Sequence, residues 1–392
     1  MIEGGAWRSR AERWVRDART VWDGLAGRPP APFTVRDGQG WQRAAVPAPV
    51  AVPGSRRMRV VRVQRETPDA VSLTLRDVAG RATPYRAGQF FTLVVRDRGE
   101  VLRRAYSASL PPDRAVEGVR VTVKRVAGGR VSGLLVDGAR AGDEIDVLGP
   151  SGSFVVDAVP PELVLIAGGS GLTPLRAVAE DVLLRDTAVH VAMVVGNRRE
   201  EDVLFVSEIA GLVAAFGARL RVLHVLAEPP EGWRGGVGLL DAPTTRAALE
   251  RLGVAPSAEF RVCGPEAMMD AVRTALGEHG VAAERIREER FSGAVAASPS
   301  ARSDVAVTVR VRGVEHAVVN RRDESLLESA LAAGVTMPFS CTLGGCGACR
   351  VKLREGAVAM DEPNCLSPLE RTDGWVLTCV GHAVAPTVVE VP

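Results

Sequence analysis

The chain has 392 residues, 46% apolar and 24% charged, which excludes wholesale disorder and leaves room for two or three domains rather than one core. Its 49 basic and 47 acidic residues leave a formal net charge of +2, so composition gives no support for a general nucleic-acid binder. No apolar run reaches the roughly 18 residues that a transmembrane helix needs, and the N-terminus lacks the order of a signal peptide, so a cytoplasmic protein is expected.

Residues 1–57 form a leader. Trp7, Ala11, Trp14, Ala18, Val21, Trp22 and Leu25 fall near helical spacing among five arginines, and a Pro/Gly/Ala-rich connector follows. Such a stripe packs on the protein's own body or docks on a partner or membrane surface, and the sequence does not choose between them. From 58 to 158, short β-branched runs (MRVVRVQRE, AVSLTLRD, QFFTLVVRD, VRVTVKRV, EIDVLG) bounded by Gly, Pro or Asp predict an antiparallel barrel or sandwich. From 159 to 291, LVLIAGG, VHVAMVVG, RLRVLHVL and EFRVCG alternate with helical stretches, which predicts a parallel sheet in an α/β domain. Residues 292–303, small and polar, read as a linker. In 304–392 a hairpin and the helix SLLESALAAG precede a cysteine-rich loop, giving a third, α+β domain.

Five of the six cysteines lie between 341 and 379, a ligand cluster rather than a disulfide scaffold. Cys341-x4-Cys346-x2-Cys349, followed after 29 residues by Cys379, has the plant-type spacing for a [2Fe–2S] cluster on four thiolates. Gly344, Gly345 and Gly347 let the backbone curl round such a cluster and aim amides at its sulfurs. A zinc site would usually show two short Cys-x-x-Cys hooks, and only one exists. A Rieske centre needs two histidine ligands, but the nearest, His316 and His382, form no Cys-x-His. Cys365 fits no ligand position and reads as a small packed thiol.

Two segments read as nucleotide sites. Arg104-Ala105-Tyr106-Ser107 ends a strand, and Gly128-Gly129-Arg130-Val131-Ser132 opens a helix. Tyr106 can stack on a flavin ring, Arg104 can pair with phosphate, and Ser132 lies where helix N-terminal amides bind anions. Gly168-Gly169-Ser170-Gly171-Leu172-Thr173-Pro174 follows a strand and precedes a helix, a geometry that lets a dinucleotide's phosphates reach backbone amides. Cys263-Gly264-Pro265 follows another strand at the sheet's ligand-binding edge. Asn197-Arg198-Arg199 lie after a third strand: the arginines point to the 2′-phosphate of NADPH, while Glu200, Glu201 and Asp202 point towards NADH. Both nucleotides stay open.

Taken in order, RAYS, GGRVS, GGSGLTP, CGPEAMM and the four cysteines resemble the ferredoxin–NADP reductase superfamily with a C-terminal plant-type ferredoxin domain. Within it the chain resembles the phenylacetyl-CoA oxygenase, 3-ketosteroid hydroxylase and desaturase reductases. The resemblance covers roughly residues 58–392, not the leader. It implies a β-grasp fold for the third domain and an enzyme that passes electrons from NAD(P)H through a flavin, FAD rather than FMN, and a [2Fe–2S] cluster to an oxygenase, hydroxylase or desaturase. By the same resemblance Arg104, Tyr106 and Ser107 bind the flavin, with Lys124, Gly129, Val131 and Ser132 round its ring edge and diphosphate. Gly169, Gly171, Thr173 and Pro174 line the nicotinamide nucleotide, with Cys263, Gly264 and Pro265 beneath the nicotinamide. Ser107 approaches flavin N5, and Phe291 lies near the flavin's other face. A membrane-bound partner held by the leader is a further expectation. The competing reading is a redox-sensing module whose cluster state controls partner binding; the GGSGLTP and CGP segments count against it, because a sensor needs no working nicotinamide site.

Overall fold

The computed structural model describes residues 55–97, 100–291 and 304–392, except 323, 340, 341, 343, 346, 362, 363 and 367. The leader up to residue 54, the linker 292–303 and the expected ligands Cys341 and Cys346 therefore lie outside the described residues. All described residues fall within one compact unit, Ala45–Pro392.

The first layer is a six-stranded antiparallel sheet of β1 (Arg56–Thr67), β2 (Ala70–Asp77), β3 (Phe90–Asp97), β4 (Glu100–Ser107), β5 (Val119–Lys124) and β6 (Glu144–Ser151). The order is β4-β3-β6-β1-β2-β5, and a bridge from Ala108 to Val121 joins the outermost strands, curling the sheet into a barrel without free edges. Helix α1 (Arg130–Gly138) packs its Val131, Leu135 and Val136 inward.

The second sheet is wholly parallel: β7 (Glu162–Gly168), β8 (His190–Asn197), β9 (Leu220–Leu226), β10 (Gly236–Val237), β11 (Glu259–Cys263) and β12 (Ile286–Glu289). Its order, β10-β9-β8-β7-β11-β12, reverses direction between β7 and β11. Four helices complete the domain: α2 (Leu172–Arg185), α3 (Val206–Phe216), α4 (Ala242–Leu252) and α5 (Glu266–Glu278). Separate apolar clusters fill the sheet's two faces, one containing Leu163, Leu165, Val178 and Val182, the other Val164, Ile166, Val272 and Leu276. A strand buried on both faces must be apolar at every position, which explains the unbroken run LVLIA. Truncating one of these leucines to alanine costs about 2–5 kcal/mol.

The third layer has the sheet order β14-β13-β19-β15-β17, from β13 (Val305–Val311), β14 (Val314–Asn320), β15 (Arg350–Glu355), β17 (Trp375–Leu377) and β19 (Thr387–Val391). β16 (Val358–Met360) pairs with β18 (Gly381–Ala383). Helix α6 (Leu326–Ala332) starts in a capping box, Ser325 accepting from the Glu328 amide and the Glu328 carboxylate accepting from the Ser325 amide. A short helix, α7 (Pro368–Thr372), precedes β17. Phe339, just ahead of the cysteine loop, packs on Val94 and Leu148 of the barrel, so this domain is anchored beside the first.

The barrel and the parallel sheet meet through buried ions. Arg120 of β5 grips Glu208 of α3 with two hydrogen bonds, 2.7 and 2.8 Å. Arg176 of α2 donates to the Ser109 carbonyl (2.9 Å) and contacts both Glu180 (2.9 Å) and Glu208 (3.1 Å). Arg114 holds the other oxygen of Glu180 at 3.0 Å. Burial alone would raise the Glu208 pKa, but the two guanidiniums hold its carboxyl below the ordinary range.

Candidate active site

The strand order places a crevice between β7 and β11, the position where open α/β sheets bind ligands. The turn after β7 is Gly169–Gly171, and α2 follows with no side chain capping its first turn. The Leu172 amide already donates to the Gly169 and Ser170 carbonyls, so the amides left for an anion are those of the glycine turn itself. Gly169 has φ +52° and nothing within 4 Å of where a Cβ would stand, so space above this turn is open. Gly171 is the opposite case, since a Cβ there would collide with the Cys263 carbonyl and force the two loops apart. Thr173 Oγ1 donates to the Ser170 carbonyl at 2.9 Å and pins the turn, and Pro174 occupies the first helical turn, where its missing N–H costs nothing.

Gly168, Gly169, Ser170, Gly264, Pro265, Lys124, Arg290 and Phe291 line one cleft of about 370 Å³. Phe291 is 46% exposed there. Lys124, at the end of β5, thus lies against the glycine turn, with its ammonium 3.7 Å from Asp69.

Ser107, Cys263 and Glu289 converge at the crevice. The parallel register sets Cys263 of β11 directly beside Glu289 of β12. Ser107, 2% exposed at the end of β4, donates to Glu289 Oε2 at 3.3 Å across the two domains. Burial raises the Glu289 pKa to about 8, against a small opposing effect of the Ser107 hydroxyl. Its carboxyl is therefore mostly protonated at neutral pH. Burial, with the Glu289 carboxylate as a lesser cause, pushes the Cys263 thiol well up, so this cysteine is an uncharged wall and not a nucleophile. Sequence reasoning missed Glu289. Its only signal is a position two residues before Phe291, at the end of a four-residue strand.

Of the two segments expected at the flavin, the first reaches the crevice through Ser107 and the second opens α1. β4 pairs with β3 so that Tyr106 opposes Phe91 and Arg104 opposes Leu93. Burial pushes the Tyr106 phenol up. The Arg104 side chain is exposed and donates to the Arg103 carbonyl at 2.7 Å. Gly129 opens α1, again with no side-chain cap, and Val131 is buried in the first turn. Ser132 Oγ accepts from the Val126 amide (3.1 Å) and holds that turn in shape. An aromatic beside a strand end, an exposed guanidinium and uncapped helical amides suit a planar ring that carries a diphosphate.

In the third domain, Cys349 Sγ and Cys379 Sγ stand 3.1 Å apart, and the Gly344 amide donates to Cys379 Sγ at 3.4 Å. Gly344 has φ +72°, and a Cβ there would press on Val380 and Asn364 at 3.1–3.2 Å. Two converging thiols with a backbone amide on sulfur fit a thiolate-held cluster. Cys365 packs with Cys349, Leu366, Trp375 and Cys379. A larger cleft, about 940 Å³, brings Gly345, Gly347 and Ala348 of this loop to face Phe90, Gly152, Phe154 and Glu289.

Comparison with known proteins agrees with this geometry. Residues 59–156 match the oxidoreductase FAD-binding domain, 165–274 the oxidoreductase NAD-binding domain and 309–384 the 2Fe-2S iron-sulfur cluster binding domain. The chain is 33% identical to the ferredoxin reductase component of 3-ketosteroid-9-alpha-monooxygenase from Mycolicibacterium smegmatis, over 84% of this chain and 95% of that protein. It is 32% identical to one of the subunits of 1,2-phenylacetyl-CoA epoxidase from Escherichia coli, over 85% of this chain and 96% of that protein. The solved structure of phthalate dioxygenase reductase shares the fold with a TM-score of 0.57 at 23% identity, over 86% of this chain and 98% of that one.

Three domains in this order define an oxidoreductase with FAD, nicotinamide-nucleotide and [2Fe–2S] sites. The chain belongs to the ferredoxin–NADP reductase superfamily, in the group with a C-terminal ferredoxin domain.

Proposed function

We propose that this enzyme is the reductase component of an oxygenase system, taking hydride from a nicotinamide nucleotide and passing single electrons to a separate terminal oxygenase, hydroxylase or desaturase. The observation that carries this reading is the convergence of Ser107, Cys263 and Glu289 at the sheet's crevice, next to the cleft faced by the cluster loop. When bound, the flavin supplies the exchange between two-electron and one-electron chemistry, and the cluster the one-electron exit.

The chain's residues divide the rest of the work. Arg104, Gly129, Val131 and Ser132 are assigned to the flavin diphosphate, and Tyr106 to the ring face. Gly169, Gly171, Thr173 and Pro174 are assigned to the nucleotide diphosphate, with Lys124 and Phe291 on the same cleft and Arg198 at the adenosine end. Gly264, Pro265 and the neutral Cys263 form a small, dry floor beneath the nicotinamide. Glu289 holds a proton at its carboxyl near pH 7 and accepts from the Ser107 hydroxyl, so the crevice carries no fixed negative charge beside the ring. Cys341, Cys346, Cys349 and Cys379 are assigned to the cluster.

Cys349→Ser tests the electron path. It should remove the cluster absorbance and cytochrome c reduction while leaving the flavin and ferricyanide reduction; cytochrome c reduction at the parental rate would contradict the proposal. The tryptophan- and arginine-rich leader is proposed to hold the enzyme against a membrane-bound partner. Removing residues 1–57 should then lower coupled turnover several-fold and spare dye reduction, and equal coupled rates would sink that part.

A further inference from the structure

The C-terminal edge of the parallel sheet continues past the crevice, away from β11. Register pairs Gly168 with Gly196, Asn197 with Leu226, and Leu226 with Val237. The ladder runs on beyond the strands: the Ala227 amide donates to the Asn197 carbonyl (3.1 Å) and the Glu228 amide to the Arg198 carbonyl (2.8 Å). Strands stand about 4.8 Å apart, so these residues lie roughly 5–10 Å from the glycine turn. A dinucleotide with its diphosphate at that turn lays its adenosine ribose along this edge.

One carboxylate dominates the edge. Glu228 Oε1 accepts from Arg198 Nε at 2.7 Å, and Glu228 Oε2 accepts from Arg199 Nε at 2.8 Å. Glu201 also contacts Arg199, at 3.5 Å. Two guanidiniums that would otherwise suit a 2′-phosphate are thus matched by two carboxylates. Beside them Asn197 Nδ2 is buried with no hydrogen-bond partner among the described residues, and Val237 and Leu239 are 61% and 72% exposed. The edge therefore offers a ribose diol a carboxylate acceptor, with the exposed apolar side chains of Val237 and Leu239 on the neighbouring segment for a purine face.

We propose that Glu228 is a specificity-determining residue: by occupying Arg198 and Arg199 it disfavours the 2′-phosphate and makes NADH the preferred nucleotide. The inference rests on the reductase reading above. A 2′-phosphate brings a charge of about −1.5 to −2. It must displace the carboxylate or sit against it, whereas a diol hydroxyl donates to it. The Glu228 carboxyl is held below its ordinary range, first by Arg199 and then by Arg198, so it stays charged at working pH.

The test compares the flavin-loaded full chain with Glu228→Gln, and with Glu228→Gln combined with Arg198→Ala and Arg199→Ala. The parent should use NADH with kcat/KM at least tenfold above NADPH. Glu228→Gln should raise kcat/KM for NADPH tenfold or more, through KM, and lower that for NADH several-fold; the added alanines should cancel the gain. Calorimetry with adenosine 2′,5′-bisphosphate gives a readout independent of turnover, and Glu228→Gln should tighten its binding tenfold while 5′-AMP gains nothing. A parent that prefers NADPH, or a variant with an unchanged nucleotide ratio and unchanged bisphosphate affinity, would overturn the role of Glu228. If dithionite but neither nucleotide reduced the parent's flavin, the reductase reading would fail instead, and the bisphosphate measurement would still decide what Glu228 does.

Discussion

At the scale of single residues the crevice depends on keeping charge out. Glu289 titrates near pH 8 because its carboxylate would have to lose water in the crevice. The rate of nucleotide-dependent flavin reduction should fall as pH rises through about 8, where a charged Glu289 carboxylate opposes the negative charge the ring gains with the hydride. Glu289→Gln, neutral at every pH, should keep the rate at pH 7 and flatten that profile. Stopped-flow absorbance across pH 6–9.5 checks both. The same shift carries a stability cost of definite sign. A folded pKa above the ordinary 4.5 costs nothing below that value, costs progressively more up to about pH 8, and is constant above. Glu289→Gln should therefore raise the apoprotein's Tm at pH 8.5 and change it little at pH 5, by less than the full shift implies because the crevice is partly open to water. Ser107 and Cys263 were legible from the short motifs RAYS and CGP. Glu289 was not, because its importance comes from a register that joins β11 to β12 and from a hydrogen bond spanning 182 residues.

Among the elements, the alternating runs and glycine turns announced both large sheets, because a period of two and an unbroken apolar strand are written locally. The contact that fixes barrel and parallel sheet together was invisible. Arg120 and Glu208 are 88 residues apart, and in a chain with two lysines among 49 basic residues no single arginine stands out. Glu208→Ala would leave Arg120 and Arg176 without a shared carboxylate in a buried setting. It should cost ~2–3 kcal/mol, below the usual figure for breaking a buried pair because Glu208 keeps 24% side-chain exposure. The carboxyl pKa is lowered in the fold, so this contribution exists above the unfolded value near 4.5 and is lost as pH falls through the lower folded value. Thermal melts at pH 7 and pH 3.5 should show the parent's advantage shrinking in acid. Equal Tm differences at both pH values would remove Glu208 from the account.

For the molecule as a whole, three domain types in a fixed order were readable because each carries its own periodicity and its own short motif. Their juxtaposition was not, since nothing local in the sequence encodes that Phe339 seats the ferredoxin domain on Val94 and Leu148. Nor does it encode that the cluster-loop glycines face Phe90 and Glu289 across one cleft. That juxtaposition makes the central claim, one electron path from nucleotide through flavin to cluster, directly testable. The measurement is an anaerobic absorbance titration of the purified full-length protein with NADH and, separately, NADPH. The account predicts that NADH bleaches the flavin and iron–sulfur bands together, at far lower concentration than NADPH. Both chromophores present but bleached by neither nucleotide, or a flavin that bleaches while the cluster stays oxidised, would contradict it.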